Sequence, residues 1–389
     1  MVPDESAGDA NRADQWERPV VSGRDHENTR LRLETWLAGH LGADASPTIA
    51  AIETPASNGM SSDTLLFEAT WMESGISRSE SLVARVAPEE SAVPVFPVYD
   101  LACQARVMQL VAQLTNVPVP HVYWVETDPS FIGAEFFVMG RVNGDVPPDV
   151  MPYTFGDTWV TEGSTKDRAR LERSTVDVLA MLHGIEESSE RFGFLASPGS
   201  SDQSALRRHF NAQRIYMEWV MDGREAPLLE RAFEWLEERW PVDEGSEVVS
   251  WGDARIGNVM YRDFEPVAVF DWEMATLAPR EVDLGWMIFL HRFFQDLAED
   301  LGAPGIPDFM QRHSVVATYE ELSGYTPRDM DWFTTYAALR HGVVMTRVGF
   351  RSAAFGQGEI PADIDDLVMH RRSLEAMLMG TYWDGVKGA

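Results

Sequence analysis

The first part of the chain contains short apolar segments bounded by polar or small residues, a pattern typical of β-strands. Thr64–Trp71, for example, alternates between apolar and polar positions. The predicted strands are Ile49–Thr54, Thr64–Trp71, Ser81–Ala87, His121–Glu126 and Glu135–Val142. Apolar residues at helical spacing predict helices at Glu27–Leu41 and Val98–Leu114 in the same region.

After Gly144 the spacing of apolar residues becomes predominantly helical. The predicted helices are Lys166–Ile185, Ser204–Met221, Pro227–Trp240, Glu281–Leu297, Phe309–Leu322 and Met330–Arg347. We therefore predict an α+β fold with a polar tail (1–26), a small antiparallel β-rich N-lobe (27–140) and a larger, mainly helical C-lobe (141–389). The joint between the lobes, near residues 139–145, predicts a cleft, and clefts between lobes are common ligand sites.

One hairpin is predicted within the helical half. Its strand-like segments, Asn258–Tyr261 and Val267–Phe270, flank a polar turn. A hairpin of this length brings its ends together, so we expect Asn258 to face Asp271 beside Asp253. Two carboxylates and an amide oxygen on one loop predict a site for a hard divalent cation.

Composition narrows the class of protein. A chain of 389 residues with 44% hydrophobic residues can bury a large core. It has no apolar run long enough for a membrane span, and its first 25 residues contain no apolar signal core. The single cysteine, Cys103, excludes an internal disulfide and a cysteine-based zinc site. These features indicate a cytoplasmic protein; oligomeric state stays open.

The chain carries 62 acidic and 32 basic residues, for a formal net charge of -30. Binding to nucleic acid requires a basic surface, so we expect no nucleic-acid partner. Two interpretations of the acidity remain open. The negative field draws in a cationic substrate, or it serves solubility alone.

A small-residue turn and an arginine on the third strand suggest a phosphate site in the N-lobe. The turn Ser57–Ser62 joins two predicted strands, and such a turn either lays backbone N–H groups over phosphates or is an ordinary hairpin. Arg85 stands among apolar neighbours on the third strand. It either faces solvent or projects a fixed cation into the cleft.

Four segments together carry a family pattern: Val138-Met139 with Gly144, Leu179–His183, Gly252–Asn258, and Asp271-Trp272-Glu273 through Asp283–Trp286. They resemble the aminoglycoside phosphotransferase and choline kinase-like superfamily, whose two-lobed fold is that of protein kinases. The resemblance is closest to the branch that includes the kinase-like domains fused to some acyl-CoA dehydrogenases. It spans nearly all of the chain beyond the N-terminal tail.

The resemblance implies ATP-dependent transfer of the γ-phosphoryl group to a hydroxyl of a small molecule, assisted by Mg²⁺. Asp253 would accept or orient the proton of the attacking hydroxyl, and Arg255 would stabilise charge on the γ-phosphoryl group. Asn258 and Asp271 would hold the magnesium ion. Glu273 is either a further metal carboxylate or a surface acid.

The resemblance also implies nucleotide contacts from the N-lobe. Arg85 occupies the position of the phosphate-anchoring cation. The other implied contacts are Ser57, Asn58, Gly59 and Ser61 over the phosphates, and the backbone near Met139 and Arg141 along the adenine edge.

Two positions depart from the family pattern. Trp251 replaces the usual histidine before Gly252-Asp253. We expect this substitution to change how the loop is supported rather than the chemistry of the site. Gln104 stands where relatives place a glutamate to pair with the third-strand cation. We expect Asp283 to be structural, as a helix cap or as a brace for the catalytic loop.

The acceptor is the open question. It is either an aminoglycoside or another aminated alcohol, or a hydroxyacyl thioester or related apolar hydroxy-metabolite. The helices at 204–240 and 309–350 would form its pocket, and their aromatic residues are Phe210, Tyr216, Trp219, Trp235, Trp332, Phe333 and Tyr336. These helices offer few acids aimed at one face, which favours a less cationic acceptor. A competing hypothesis is a nucleotide-binding or scaffold protein without transfer activity.

Overall fold

A five-stranded antiparallel sheet forms the N-terminal part of the fold. The computed structural model describes residues 24–42, 44–55, 62–88, 93–150, 152–199, 202–386 and 388. The strands are β1 (Thr48–Glu53), β2 (Asp63–Glu73), β3 (Ile76–Val86), β4 (Val122–Glu126) and β5 (Phe136–Gly140). Their spatial order is β1-β2-β3-β5-β4, so β3 lies at the centre of the sheet. The predicted phosphate turn, with Ser57, Asn58, Gly59 and Ser61, lies outside the described residues, as does most of the polar tail 1–26.

Two helices cover the two faces of this sheet. Helix α1 (His26–Leu41) contributes Trp36 to a core that includes Phe67 and Phe136 from the sheet. Helix α2 (Leu101–Leu114) packs on the opposite face, where its apolar residues join Phe137 and the core of the helical part. The sheet therefore shares a continuous hydrophobic core with the rest of the molecule on its α2 face.

Helices make up most of the chain after residue 150. They are α3 (Trp159–Glu162), α4 (Thr165–His183), α5 (Ser188–Arg191), α6 (Ala205–Met221), α7 (Pro227–Glu238), α8 (Arg280–Asp300), α9 (Arg312–Ser323), α10 (Met330–Ala354) and α11 (Arg371–Leu378). Among the described residues, no helix is long and apolar enough to span a membrane. The predicted two-lobed α+β architecture is confirmed.

Several predicted boundaries were wrong. Helix α2 begins at Leu101 rather than at Val98, because the Asp100 carboxylate caps it by accepting the Cys103 N–H at 2.7 Å. Helix α10 continues to Ala354, seven residues past the predicted end at Arg347. Strand β3 begins at Ile76 because it pairs with β2 along its whole length.

Four short strands of the helical part form two small sheets around the predicted hairpin. The hairpin consists of β7 (Val259–Arg262) and β8 (Glu265–Val269). A second pair, β6 (Val248–Ser250) and β9 (Thr276–Ala278), was not predicted. This pair holds the two ends of the segment 248–278 together, and the candidate site lies between them.

Candidate active site

The loop between β6 and the hairpin depends on a glycine. Gly252 has φ +87°, a region that residues with a side chain rarely adopt. A Cβ at this position would lie 2.0 Å from the carbonyl oxygen of Met274. Only glycine therefore allows the loop that carries Asp253 to pass this close to the segment after Asp271.

The buried carboxylate of Asp283, on the first turn of α8, holds this loop in place through hydrogen bonds. It accepts hydrogen bonds from the backbone N–H groups of Trp251 (2.7 Å) and Gly252 (2.8 Å) and from the Ser250 hydroxyl (2.8 Å). The Nε2 atom of His183 lies 3.1 Å from Oδ2 of Asp283. Burial works to raise the pKa of Asp283, but these hydrogen bonds hold it below its ordinary value. Asp283 thus has the geometry of the expected brace.

The Asp253 carboxylate accepts hydrogen bonds from three side chains. The indole Nε1–H of Trp286 donates to Oδ1 at 2.7 Å, and the amide of Asn258 donates to Oδ2 at 2.6 Å. The Nε–H of Arg255 lies 3.1–3.2 Å from both oxygens. These contacts fix the carboxylate in one orientation, with Asn258 beside it as the sequence spacing predicts.

Arg255 bridges two carboxylates. Its Nη1 donates to Asp149 at 2.6 Å while its Nε contacts Asp253. Burial works to lower the pKa of Arg255, but the two carboxylates raise it above its ordinary value. Gly257 leaves room for this arrangement, since a Cβ there would lie 2.4 Å from both Arg255 Nη1 and Asp149 Oδ1. Asp149 lies in the segment after β5 and was not singled out from the sequence.

The hairpin brings Asn258 next to Asp271. The N–H of Phe270 donates to the Asn258 carbonyl at 3.1 Å, which closes the base of the hairpin. The tight turn at Asp263-Phe264 has positive φ at both residues, as two-residue hairpin turns require. Asp271 itself has φ +63°, a strained value of the kind found at functional sites.

The donor atoms around this hairpin fit a hard cation. Asn258 uses its Nδ2 for Asp253, which leaves its Oδ1 as an acceptor. Burial raises the pKa of Asp271, Arg85 opposes the rise, and Asp253 adds to it. Carboxylate and amide oxygens are the ligands that Mg²⁺ prefers. Among the described residues, no group of three or more His, Cys, Asp or Glu side chains is suited to a metal. A cation site here therefore needs the amide oxygen of Asn258 as a ligand.

Arg85 crosses the cleft to meet the C-lobe. It donates to Asp271 Oδ1 at 3.4 Å and to the Thr64 hydroxyl at 3.1 Å. It therefore does not face open solvent, and its exposed fraction is 11%. Among the described residues, no hydrogen bond joins Gln104 to Arg85. The counter-charge of this arginine is the aspartate across the cleft, instead of a residue of α2.

Gln104 and Glu273 line a separate cavity of about 100 Å³ between α2 and the segment after Asp271. Its apolar walls include Tyr99 and Trp272, and Cys103 contributes the only thiol. Burial raises the pKa of Cys103 to about 11. Glu273 thus shares this cavity with residues of α2, and its role as a further metal carboxylate stays a prediction.

The segment that connects the lobes follows β5. Met139 is buried on β5, and the N–H of Arg141 donates to the Ser81 carbonyl at 2.9 Å. This N–H is therefore already hydrogen-bonded to the sheet. A backbone bridge between Asp145 and Tyr261 then ties the connection to the hairpin of the site.

Most of the aromatic residues expected in an acceptor pocket are core residues instead. Phe210, Trp332, Phe333 and Tyr336 are fully buried, because α6 and α10 pack against each other and against neighbouring helices. Trp235 is partly exposed, and Trp219 is the most exposed of the set, with 36% of its surface exposed. The guanidinium of Arg347 covers the Trp219 ring, with its Cζ 4.4 Å from the ring centroid.

The two-lobed protein-kinase-like fold, with this loop and hairpin in its cleft, is that of a phosphotransferase. A sequence model of the phosphotransferase enzyme family matches residues 54–325, most of the chain. The protein therefore belongs to the phosphotransferase enzyme family, and the resemblance stated from the sequence is confirmed.

The chain is also similar to human acyl-CoA dehydrogenase family member 11, with 25% identity over 267 residues. That match covers 67% of this chain but only 30% of the relative, so the chain spans about a third of that protein.

Two solved structures share the fold. A candidate aminoglycoside phosphotransferase from Ralstonia eutropha superposes with a TM-score of 0.64 at 22% identity, over 91% of this chain and 98% of that one. A thermostable mutant of aminoglycoside phosphotransferase APH(4)-Ia, solved with AMP-PNP and hygromycin B, superposes with a TM-score of 0.52 at 14% identity. The latter match covers 89% of this chain and 98% of the neighbour.

Proposed function

We propose that this protein transfers the γ-phosphoryl group of ATP to the hydroxyl of a small-molecule acceptor, with Mg²⁺ as cofactor. The observation that carries the proposal is the meeting of Asp253, Asn258 and Asp271 with Arg85 in the cleft between the lobes. Phosphoryl transfer requires a fixed carboxylate, oxygen ligands for a metal ion and a cation for the phosphates.

Asp253 acts on the acceptor hydroxyl. A carboxylate accepts about four hydrogen bonds, and three side chains already donate to Asp253. The acceptor hydroxyl takes the place of one of the two long contacts from Arg255 Nε, and Asp253 aims the hydroxyl oxygen at the γ-phosphorus. The new phosphorus–oxygen bond forms as the bond to ADP breaks, and the hydroxyl proton passes to Asp253.

Asn258 Oδ1 and Asp271 hold the magnesium ion. When bound, the ion supplies positive charge that neutralises the phosphate oxygens. With the nucleotide bound, Arg85 would anchor the phosphates in place of its 3.4 Å contact with Asp271. Arg255, held by Asp149, supplies a further cation beside Asp253 for the transferring group. Glu273 lines the cavity beside Gln104, and we do not assign it as a ligand of the ion.

The nucleotide base binds along the segment from Met139 to Arg141, with the turn containing Ser57, Asn58, Gly59 and Ser61 over the phosphates. Because the Arg141 N–H is bound to Ser81, other backbone groups of this segment contact the adenine.

The acceptor is more consistent with a hydroxyacyl thioester or related hydroxy-metabolite than with an aminoglycoside. An aminoglycoside carries several ammonium groups and requires several carboxylates in its site. The exposed aromatic Trp219 is instead covered by a cation, Arg347. Similarity to acyl-CoA dehydrogenase family member 11 supports the thioester alternative.

The decisive experiment combines ATP binding and ATP turnover. Magnesium ATP at 100 times its Kd is expected to stabilise the wild type by about 2.7 kcal/mol in thermal denaturation. Asp253→Asn should keep this stabilisation but lose about 100-fold or more in turnover with a hydroxylated acceptor. Asp157→Asn, an exposed aspartate outside the site, is the matched control.

Two outcomes would contradict the proposal. ATP stabilisation without turnover on any hydroxylated acceptor would favour the nucleotide-binding or scaffold alternative. Unchanged ATP stabilisation in Arg85→Ala would show that the anchor is misplaced. Arg78→Ala, an exposed arginine on the same strand, controls for the loss of a strand cation.

A further inference from the structure

Arg340, near the middle of α10, is a buried cation with incomplete pairing. Only 1% of its surface is exposed. Its Nη2 donates to the Gly252 carbonyl at 3.1 Å, whereas Nε and Nη1 have no hydrogen-bond partner among the described residues. Burying an ion costs several kcal/mol unless its partners compensate. A charge held at that cost next to a catalytic loop is a candidate functional group.

The position of Arg340 is set by a close approach of two helices. A Cβ on Gly285 of α8 would lie 2.6 Å from the Phe333 carbonyl of α10, so only glycine permits this packing. One residue after Gly285 stands Trp286. The Arg340 guanidinium covers its ring, with Cζ 4.5 Å from the ring centroid.

The same indole donates to the carboxylate that we propose as the acceptor of the hydroxyl proton. Trp286 Nε1 lies 2.7 Å from Asp253 Oδ1. A cation over the face of an indole attracts its π-electrons, and the effect is strong between buried groups such as these. Electron density is drawn from the N–H, which becomes a stronger hydrogen-bond donor.

We propose that Arg340 is a positioning residue for Asp253, which it orients by polarising Trp286. The bond to the Gly252 carbonyl fixes the guanidinium over the ring. Asp283 binds the N–H of Gly252 while Arg340 binds its carbonyl, so the residue before Asp253 is held from both sides. The indole of Trp251, in contrast, donates to Phe270 and does not reach Asp253. This inference rests on the proposed function only for the role of Asp253 in turnover.

The first test separates positioning from structural support. Arg340→Met replaces the buried charge by an apolar chain of similar length. It removes the cost of burying an ion but leaves the Gly252 carbonyl without this donor, so the two effects on stability oppose each other. We expect a small change in Tm, a fall of about tenfold in kcat, and an unchanged KM for magnesium ATP. Arg340→Lys restores the cation and should recover part of kcat. A lower Tm together with unchanged kcat would overturn the inference.

The second test asks whether Arg340 acts through Trp286. Trp286→Phe removes the indole N–H and should lower kcat by itself. The double variant Arg340→Met/Trp286→Phe should then be no slower than Trp286→Phe alone, within about twofold. Effects that multiply in the double variant would contradict this route.

The third test does not require turnover. In protein with ¹⁵N-labelled tryptophan, Trp286→Phe identifies the Trp286 indole N–H resonance by its disappearance. Arg340→Met should move this resonance upfield, and Arg340→Lys should return it toward its wild-type position. Arg239→Met removes another arginine from the face of a tryptophan, Trp235, and should leave the Trp286 resonance unchanged. An unmoved resonance in Arg340→Met would refute the inference even if the kinase assay succeeds. A moved resonance in a protein without turnover would support the inference and count against the proposed function alone.

Discussion

The loop that carries Asp253 depends on Gly252. An alanine there requires φ near +87° and a contact of 2.0 Å with Met274, so either the loop or the segment after Asp271 must move. We expect Gly252→Ala to lose at least about 1–3 kcal/mol of stability and most of its turnover. Chemical denaturation and the ATP assay measure the two effects.

Gly39→Ala is the matched control for this prediction. Gly39 lies within α1 with open space around it, so alanine should stabilise the helix by about 0.5–1 kcal/mol. Equal losses in both variants would indicate that the loop geometry is not the cause.

Asp283 predicts a pH dependence of stability. Its folded-state pKa lies below the ordinary value of 3.8, so its stabilisation is complete above pH 3.8 and is lost as the pH falls through the lowered pKa. We expect Asp283→Asn to cost about 3–5 kcal/mol at pH 7, because it removes one partner of a buried network. Urea denaturation from pH 7 to pH 3 measures this difference.

The difference between wild type and Asp283→Asn should shrink below pH 3.8. A difference that is constant across the whole range would mean that Asp283 contributes through shape alone. Asp157→Asn, at an exposed position, should show no such trend.

At the scale of elements, helix α4 begins at a capping box. The Ser164 hydroxyl accepts from the Asp167 N–H, and the Asp167 carboxylate accepts from the Ser164 N–H at 3.0 Å. Ser164→Ala should cost about 1 kcal/mol of stability. Turnover should not change, because the other end of α4 carries His183, which contacts Asp283.

Thermal denaturation with a turnover assay tests this separation. Ser189→Ala, at an exposed serine of α5, should leave the Tm nearly unchanged. A loss of turnover in Ser164→Ala larger than its loss of folded protein would contradict the prediction.

The elements also show where sequence patterns are sufficient. The hairpin β7–β8 was predicted because its turn and its two strands are contiguous. Strands β6 and β9 have three residues each, too few for a periodic pattern, and pair only because the intervening loop closes. The missed start of α2 has a local cause, the cap at Asp100, which the apolar pattern through Val98 obscured.

At the scale of the whole molecule, helices of the C-lobe bind the segment that precedes α2. The Tyr216 hydroxyl donates to the Val95 carbonyl at 2.9 Å, and Arg347 Nε donates to the Pro94 carbonyl at 2.8 Å. This segment leads directly into α2, the helix that lines the cavity with Gln104 and Glu273. The contacts therefore couple the position of α2 to helices α6 and α10.

Tyr216→Phe tests this coupling. It removes one hydrogen bond and leaves a buried carbonyl without that donor, at a cost of about 1–3 kcal/mol. We expect faster amide hydrogen exchange at residues 93–104, measured by mass spectrometry. Tyr123→Phe, at an exposed tyrosine, is the control. Exchange that changes equally in both variants would argue against the coupling.

The sequence by itself determined the order of the longer elements, the two-lobed fold and the loop with Asp253, Asn258 and Asp271. These features depend on periodicity and on short spacings, which are local properties of the chain. It also pointed to Asp283 as a brace, since this residue follows the same loop at the start of an apolar helix.

Only the tertiary structure decided the partners of these residues. Arg85 pairs with Asp271 across 186 positions, and Arg255 pairs with Asp149 across 106. Arg340 reaches Gly252 across 88 positions because two helices meet at a glycine. Such contacts depend on how the lobes and helices pack, and the free energy of a buried charge depends on surroundings that no local pattern specifies. The family pattern gave the groups of the candidate site, whereas packing decided how each is held.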